Sequence, residues 1–566
     1  MSNSNVYIKS GIWRKTTTPV KGELNLDAII AAVSPPSAPS IMIAGTGTCS
    51  TMRDGNFNSA SGLYSTVGGG YGNTASNPVC SSVGSTVSGG INNTAYNSYS
   101  TISGGIGNVA CGNRATVGGG NSNTASGYWS TVSGGYINIA SGYISTVGGG
   151  YSNTASGYIS TISGGRVNIA SGRYSTVSGG NLNTASGDCS TVGGGICNTS
   201  SGFISTVGGG RTNTACGQYS FVGGGEKNTA SGNNATIGGG ICNNSTYLGT
   251  FVGGGNKNSA TSYYDVVVGG ACNTASGMYS FIGGGRSNRV SGRNSTVSGG
   301  YYNCAISGNS AITGGDFNRI YSGYNSFIGS GSFNSICGTL ATISGGGCNL
   351  ATGTLSTISG GGNTASLFYP PTTRPGNIAA GYASTVSGGF QNCALNDYSS
   401  VSGGCNNIAS GQYSGILGGQ NNTTAGFADS FIIGSNLTAG AVCTTYVNNL
   451  CASGGIYGAT KSFVIPHPTK PTMTLQYGVL EGPEHSVYVR GRLTGINKIT
   501  LPEYWINLVH EDTITVHLTP IGDYQALSVK SVTANEIEIN GVQIDCFYSV
   551  YAERKDIDKL IIEKNI

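Results

Sequence analysis

The sequence predicts an all-β protein, a parallel β-solenoid of about 25 coils followed by a separate β-rich domain, and three observations predict it. A unit of about 15 residues recurs, so that Val147, Ile162, Val177, Val192, Val207 and Val222 occupy one column. A repeat this short cannot bury a hydrophobic face alone and must stack on its neighbours. Of 566 residues, 98 are glycine and only 8% are charged, which does not describe an ordinary globular core. In the last 106 positions the composition reverses: about half of all charged residues lie there, with all four histidines, His467, His485, His510 and His517.

Residues 1–42 share none of the repeat's columns. Trp13-Arg14-Lys15-Thr16 leads into an apolar patch from Leu24 to Val33 and then into Ser34-Pro35-Pro36-Ser37-Ala38-Pro39. We read a small docking segment with a proline-rich exit, the alternative being a disordered leader. Met1 to Lys9 is polar where a secretory signal carries a basic stub and an apolar core, so synthesis in a cytoplasm is expected.

The solenoid is assigned to residues 43–440, with matching columns from near Met52 to near Ile432. At roughly 4.8 Å per coil this makes a rod on the order of 120 Å. In Ser205-Thr206-Val207, alternation puts Ser and Val on the inner face and Thr outside, on a backbone that β-branched residues favour. Gly208-Gly209-Gly210 turns the chain. A second short strand, Asn213-Thr214-Ala215, places Asn and Ala together, and Gly217 turns again. The asparagine column, including Asn153, Asn168, Asn183, Asn198 and Asn213, is the most regular. An amide at every level can bond to its copies and to turn backbone, so we assign a structural ladder. An interior of Ser, Val, Asn and Ala is small, and three coils side by side would bury more apolar area, hence an expected homotrimer.

Insertions in a solenoid become loops on one face. Five residues enter at Asn77 to Ser81, and a longer insertion, Leu367 to Ala379, carries Pro370-Pro371-Thr372-Thr373-Arg374-Pro375. Arg374 is a candidate surface contact. An aromatic column that includes Trp129, Tyr174 and Tyr219 lies three residues before the coil's Val, where alternation places it opposite that Val. Such a row could stack on sugar rings or pack on a neighbouring chain. The 16 cysteines are scattered. Same-column copies two coils apart, as Cys242 and Cys272, lie roughly 9.6 Å apart, beyond disulfide reach, so small apolar filler in a reducing compartment is expected.

Residues 441–460 read as a neck and 461–566 as the C-terminal domain. Ser486-Val487-Tyr488-Val489-Arg490 and Thr513-Ile514-Thr515-Val516-His517-Leu518 read as strands, with turns at Gly482-Pro483 and Pro520-Ile521-Gly522. The net charge of +4 is spread thinly, giving no nucleic-acid patch, and no run of 18 apolar residues suggests a membrane span. Acids such as Asp54, Asp188, Glu226, Asp265, Asp316, Asp397 and Asp429 are isolated along the coils, where a glycan hydrolase needs a carboxylate pair. His467, Glu484 and His485 fit no metal spacing, and no Gly-Lys-Ser/Thr follows the glycine runs. No catalytic residue, cofactor or metal is expected.

Ser-Thr-Val-Gly-Gly-Gly-x-x-Asn-Thr-Ala-Ser-Gly resembles the head repeats of YadA-type trimeric autotransporter adhesins over Met52 to Ile432, and Thr444-Thr445-Tyr446-Val447-Asn448-Asn449-Leu450 looks like the neck that follows them. The resemblance implies left-handed parallel β-rolls assembled as trimers. A signal peptide, coiled-coil stalk and anchoring barrel, which such adhesins carry, are not recognised. The C-terminal strings Ser462-Phe463-Val464-Ile465-Pro466-His467-Pro468, Leu480-Glu481-Gly482-Pro483-Glu484-His485 and Tyr551-Ala552-Glu553-Arg554-Lys555 resemble the terminal domain of tail-fibre and virion structural proteins of tailed phages, cyanophages especially. The resemblances together imply a homotrimeric tail fibre in the virion. Its N-terminus would meet tail or baseplate proteins, and its rod and C-terminal domain a host surface glycan or protein; that domain could equally register the three chains. The alternatives are a polysaccharide-depolymerising tailspike and, last, an ice-binding solenoid.

Overall fold

The computed structural model describes residues 5–9, 12–16, 42–53, 56–76, 83–362, 376–450, 462–478 and 485–556. The chain divides into two compact units, Met1–Asn449 and Leu450–Ile566. It is nearly all β, and its first unit is a parallel β-solenoid of about 25 turns. The predicted neck, 441–460, straddles the division, and its residues 451–460 lie outside the described residues.

Each coil contributes two two-residue strands and one bridging residue, each stacked on its copy 15 positions away. Thr131–Val132 pairs in parallel with Thr146–Val147, and Ile139–Ala140 pairs with Thr154–Ala155. Between the two strands Tyr136 bridges to Tyr151, a third ladder beyond the two strands predicted. The backbone donors run toward the next coil: Thr131 N–H bonds Ser145 O at 2.8 Å, Tyr136 N–H bonds Gly150 O at 2.9 Å, and Ile139 N–H bonds Asn153 O at 2.8 Å. Strands of two residues suffice because the sheet extends along the stack and every coil adds one rung to each ladder.

The inward columns form one continuous core in which Val132, Val147 and Ile162 face Ala140, Ala155 and Ala170, all fully buried. Ser145 and Asn153 join them from the positions just before the strands, while Thr146 and Thr154 remain partly exposed, as period-two alternation requires. At least two glycines are forced by the stack in most coils, since a Cβ at Gly157 would strike the backbone of Gly172 in the next coil. Gly165 has φ +95°, and a Cβ there would collide with Gly180 O and Asn168 Nδ2 in its own and the next coil. The turns also hold side chains in the left-handed region, Ile137 at φ 54° and Ile144 at φ 53° among them, so the coil geometry overrides the usual preference for glycine.

Both ends of the first ladder extend past the sequence columns. Met42–Ala44 pairs antiparallel with Thr51–Arg53, covering the first edge with a hairpin. Thr445–Val447 adds a further parallel strand beneath Phe431–Ile433, with Tyr446 packed against the core. The sequence columns fade near Ile432 because side chains change there, while backbone pairing, which needs no particular side chain, continues. Asn5–Lys9 and Ile12–Thr16 form an antiparallel pair. The remainder of the predicted 1–42 docking segment is outside the described residues.

The second unit is built from antiparallel strands. Ser486–Thr494, Asp545–Glu553 and Thr515–Pro520 form one sheet with Asp545–Glu553 central, and Lys498–Thr500, Glu536–Asn540 and Ser528–Val532 form another. Val487, Leu493, Ile499, Leu508, Ile537, Ile539 and Val550 make its core around the buried Trp505. The strand expected from Thr513 begins at Thr515 instead. Glu511–Thr513 is a 3-10 turn held by Thr513 Oγ1 donating to His510 O at 2.7 Å.

Candidate functional surface

The five predicted ladder asparagines are all fully buried. Each makes the same bonds: in Asn153, Nδ2 donates to Gly149 O and to Gly165 O, both at 2.9 Å, and Oδ1 accepts the backbone N–H of Asn168 at 2.9 Å. Asn168 repeats this with Gly164 O and Gly180 O, and Asn213 with Gly209 O and Gly225 O. Amide-to-amide bonds are secondary, as between Asn153 Nδ2 and Asn138 Oδ1 at 3.1 Å. The side chain thus ties the glycine turn of its own coil to the next coil, and its donors and acceptor are spent inside the protein.

Trp129, Tyr174 and Tyr219 are exposed, but not for the reason alternation supplies. They occupy turns at φ 55°, 57° and 56°, outside the strands, so the strand rule does not govern them. A second row stands one position earlier, at Tyr128, Tyr143 and Tyr158, and following a single column along the sequence does not reveal it. Tyr128 and Tyr143 stack at 5.4 Å with planes 7° apart, and Tyr143 and Tyr158 at 5.2 Å and 3°. Tyr174 meets Tyr158 edge-on at 5.5 Å. Trp129 meets Tyr128 and Tyr143 edge-on, with the Arg114 guanidinium 4.9 Å over its ring. Tyr219 meets Phe203 edge-on at 5.6 Å. Aromatic faces in this row are turned toward neighbouring rings and Arg114, which reduces what is left for a sugar ring.

Arg374 lies outside the described residues, as do 367–375 of its loop. At the foot of that insertion Gly376, Ile378, Gln391, Cys393, Asn406, Ile408 and Asn421 line an open groove of about 420 Å³. The five-residue insertion at 77–81 is likewise outside the described residues.

Most of the described cysteines are not core filler, Cys546 in the core of the second unit being an exception. Of the 14 described, only Cys348 and Cys546 are buried. Cys197, Cys242, Cys272 and Cys348 sit in left-handed turns at φ 56° to 57°, a position that points away from the Val and Ala columns.

Among the coil acids, Asp188 accepts the Arg173 N–H at 2.9 Å and Asp397 accepts the Tyr382 N–H at 2.8 Å, each binding the turn of the preceding coil. Glu226 sits between Arg211 at 3.9 Å and Lys227 at 3.6 Å, all solvent-exposed. Asp265 is different: it replaces the inward Ser and is fully buried. It accepts Ser262 N–H at 2.7 Å, Ser280 N–H at 3.0 Å and Ser280 Oγ–H at 2.7 Å. Burial pushes its carboxyl above the ordinary carboxylate value, and these bonds only partly oppose that.

In the second unit His467 Nδ1 accepts the Lys470 N–H at 3.1 Å, and its ring lies 5.5 Å from Tyr504. Glu484 is outside the described residues. Among the described residues no group of three His, Cys, Asp or Glu lies close enough together to hold a metal, and no helix is long and apolar enough to cross a membrane.

Residues 130–142, most of one coil, match the family described as the ubiquitous surface protein adhesin repeat. No curated protein matches the chain. The stack thus contains a stretch similar to an adhesin repeat, which suggests an adhesin-like fibre.

Proposed function

We propose that this chain is the subunit of a homotrimeric phage tail fibre that carries adhesion to a host cell surface. The observation that carries the reading is the long parallel stack of coils, one of which matches an adhesin repeat. A stack of this kind supplies length and repetition, and three copies on one fibre multiply a weak contact into avidity. The likeness of the C-terminal strings to tail-fibre domains supports the virion assignment. In this reading residues 1–42 meet tail or baseplate proteins, and the host contact is a surface glycan or protein.

Light scattering on the purified full chain, with electron micrographs of the same sample, tests it. A mass near three chains and a thin rod are expected, followed by saturable binding to host cells. A monomer rules out the trimeric fibre, and a trimer that binds no host cell rules out the adhesive role.

A further inference from the structure

The outward side chains of the first ladder form a face that stays uncharged over nearly the whole stack, as the second ladder's does only up to Thr274. From Thr66 to Phe431 this column carries Thr, Phe, Val, Ala, Ser and Gly and no charged residue. The outward column of the second ladder carries Arg289 and Arg319, and the bridge column carries Arg166, Arg211, Glu226, Arg286 and Asp316. Between Thr66 and Phe431 charge thus lies on the other sides, Asp265 excepted, which points inward; Arg53, exposed on the strand before Thr66, is the charged residue at the start of this face.

In the middle of the stack the uncharged face becomes aromatic. Phe221, Phe251 and Phe281 stand at alternate levels with Thr236 and Val266 between them, and Phe327 and Phe431 come later in the same column. Phe221, Phe251, Phe327 and Phe431 are 42%, 37%, 38% and 45% exposed. The first three rings lean along the strand over Gly223, Gly253 and Gly283. Beside the same strands, Gly209, Gly224, Gly239 and Gly269 have open space where a Cβ would go and no left-handed φ, so packing within the chain does not call for glycine there.

We propose that this face, with Phe221, Phe251 and Phe281 as its apolar anchors, is where a second copy of the same chain packs; the proposal rests on the homotrimer reading and names the surface it uses. Three arguments select a second copy as occupant. An uncharged face beside charged ones lets identical chains meet without like charges opposing each other. A partner in register with every level must repeat at the coil spacing, and another copy of this chain does. A face three residues wide and about 25 coils long spans on the order of 1,200 Å² at ~3.3 Å per residue and ~4.8 Å per coil, against roughly 800 Å² per partner in a stable complex.

Light scattering on the full chain is compared for wild type, Phe251→Asp and, on the second ladder, Thr229→Asp. The mass is expected to fall from three chains to one for Phe251→Asp and to stay at three for Thr229→Asp, with the β circular-dichroism signal kept. Photocrosslinking covers the case in which Phe251→Asp does not fold. A benzophenone amino acid at position 251 is expected to join chains, and one at position 229 is not. A trimer that survives Phe251→Asp, or crosslinks that arise from 229 alone, overturns the face and leaves the trimer standing. A monomeric wild type overturns both.

Discussion

Removing one amide from the ladder gives the sharpest test of how the coils are held together. In Asn168→Ala the Asn183 N–H loses its acceptor at 2.9 Å, and both residues are fully buried. Gly164 O and Gly180 O each lose a donor at 3.0 Å, but Gly180 O keeps the Arg166 N–H at 2.8 Å. The main cost is the orphaned buried N–H, about 1–3 kcal/mol, and the two lost donations add about 1 kcal/mol or more, so the total is about 2–4 kcal/mol. In a stack held by nearest-neighbour contacts this loss is concentrated around the altered coil. Hydrogen exchange read by mass spectrometry on peptides covering 164–185 should show protection falling there and not in coils around 300, with a lower denaturant midpoint for the whole chain. Asn168→Asp keeps the acceptor but turns a carboxylate oxygen toward two carbonyls, so its loss should exceed that of alanine at pH 7 and shrink as the pH falls. Unchanged exchange around Asn183 in Asn168→Ala would refute the ladder as a source of stability.

Asp265→Ser restores the residue common at that position. Because burial raises the folded-state value of this carboxyl, the folded chain holds the proton more tightly than the unfolded one. That contribution is full below the unfolded value of about 4 and is lost as pH rises through the folded value; the serine variant should therefore melt higher at pH 7, with the gain shrinking toward pH 4, and an equal gain at both would contradict the reasoning. Ile204 is exposed at φ 52°, where other coils place Asn234 and Asn294, so Ile204→Asn should stabilise by about 1 kcal/mol in chemical denaturation. Gly210→Ala, at φ +87° with a Cβ driven into Gly225 O, should cost more than 2 kcal/mol or so and prevent folding in a marginal background, whereas Gly209→Ala should leave the coil stack intact by circular dichroism. Tyr143→Ala removes two stacked partners, Tyr128 and Tyr158, and should lower stability by about 1–3 kcal/mol, read from thermal melts; an unchanged melt would mean the rings are not contributing to coil stacking.

The sequence by itself determined the solenoid. A period of about 15 residues with Val or Ile at one place and Asn-x-Ala at another fixes which side chains face inward, because a coil that does not align these columns with its neighbours leaves them in water. Thr146 outside, Val147 and Asn153 inside, and Gly150 at the turn all follow from that constraint. Only the tertiary structure decided what the turns do. Strand alternation says nothing about residues outside strands, so the left-handed turns at Trp129 and Tyr174, the stacked rings of Tyr128, Tyr143 and Tyr158, and the exposure of half the described cysteines were not legible from column identity. The third ladder at Tyr136 and the strand at Thr445–Val447 were hidden for a related reason. Both are specified by backbone hydrogen bonds between coils, which leave no preference for one side chain and therefore no column to read.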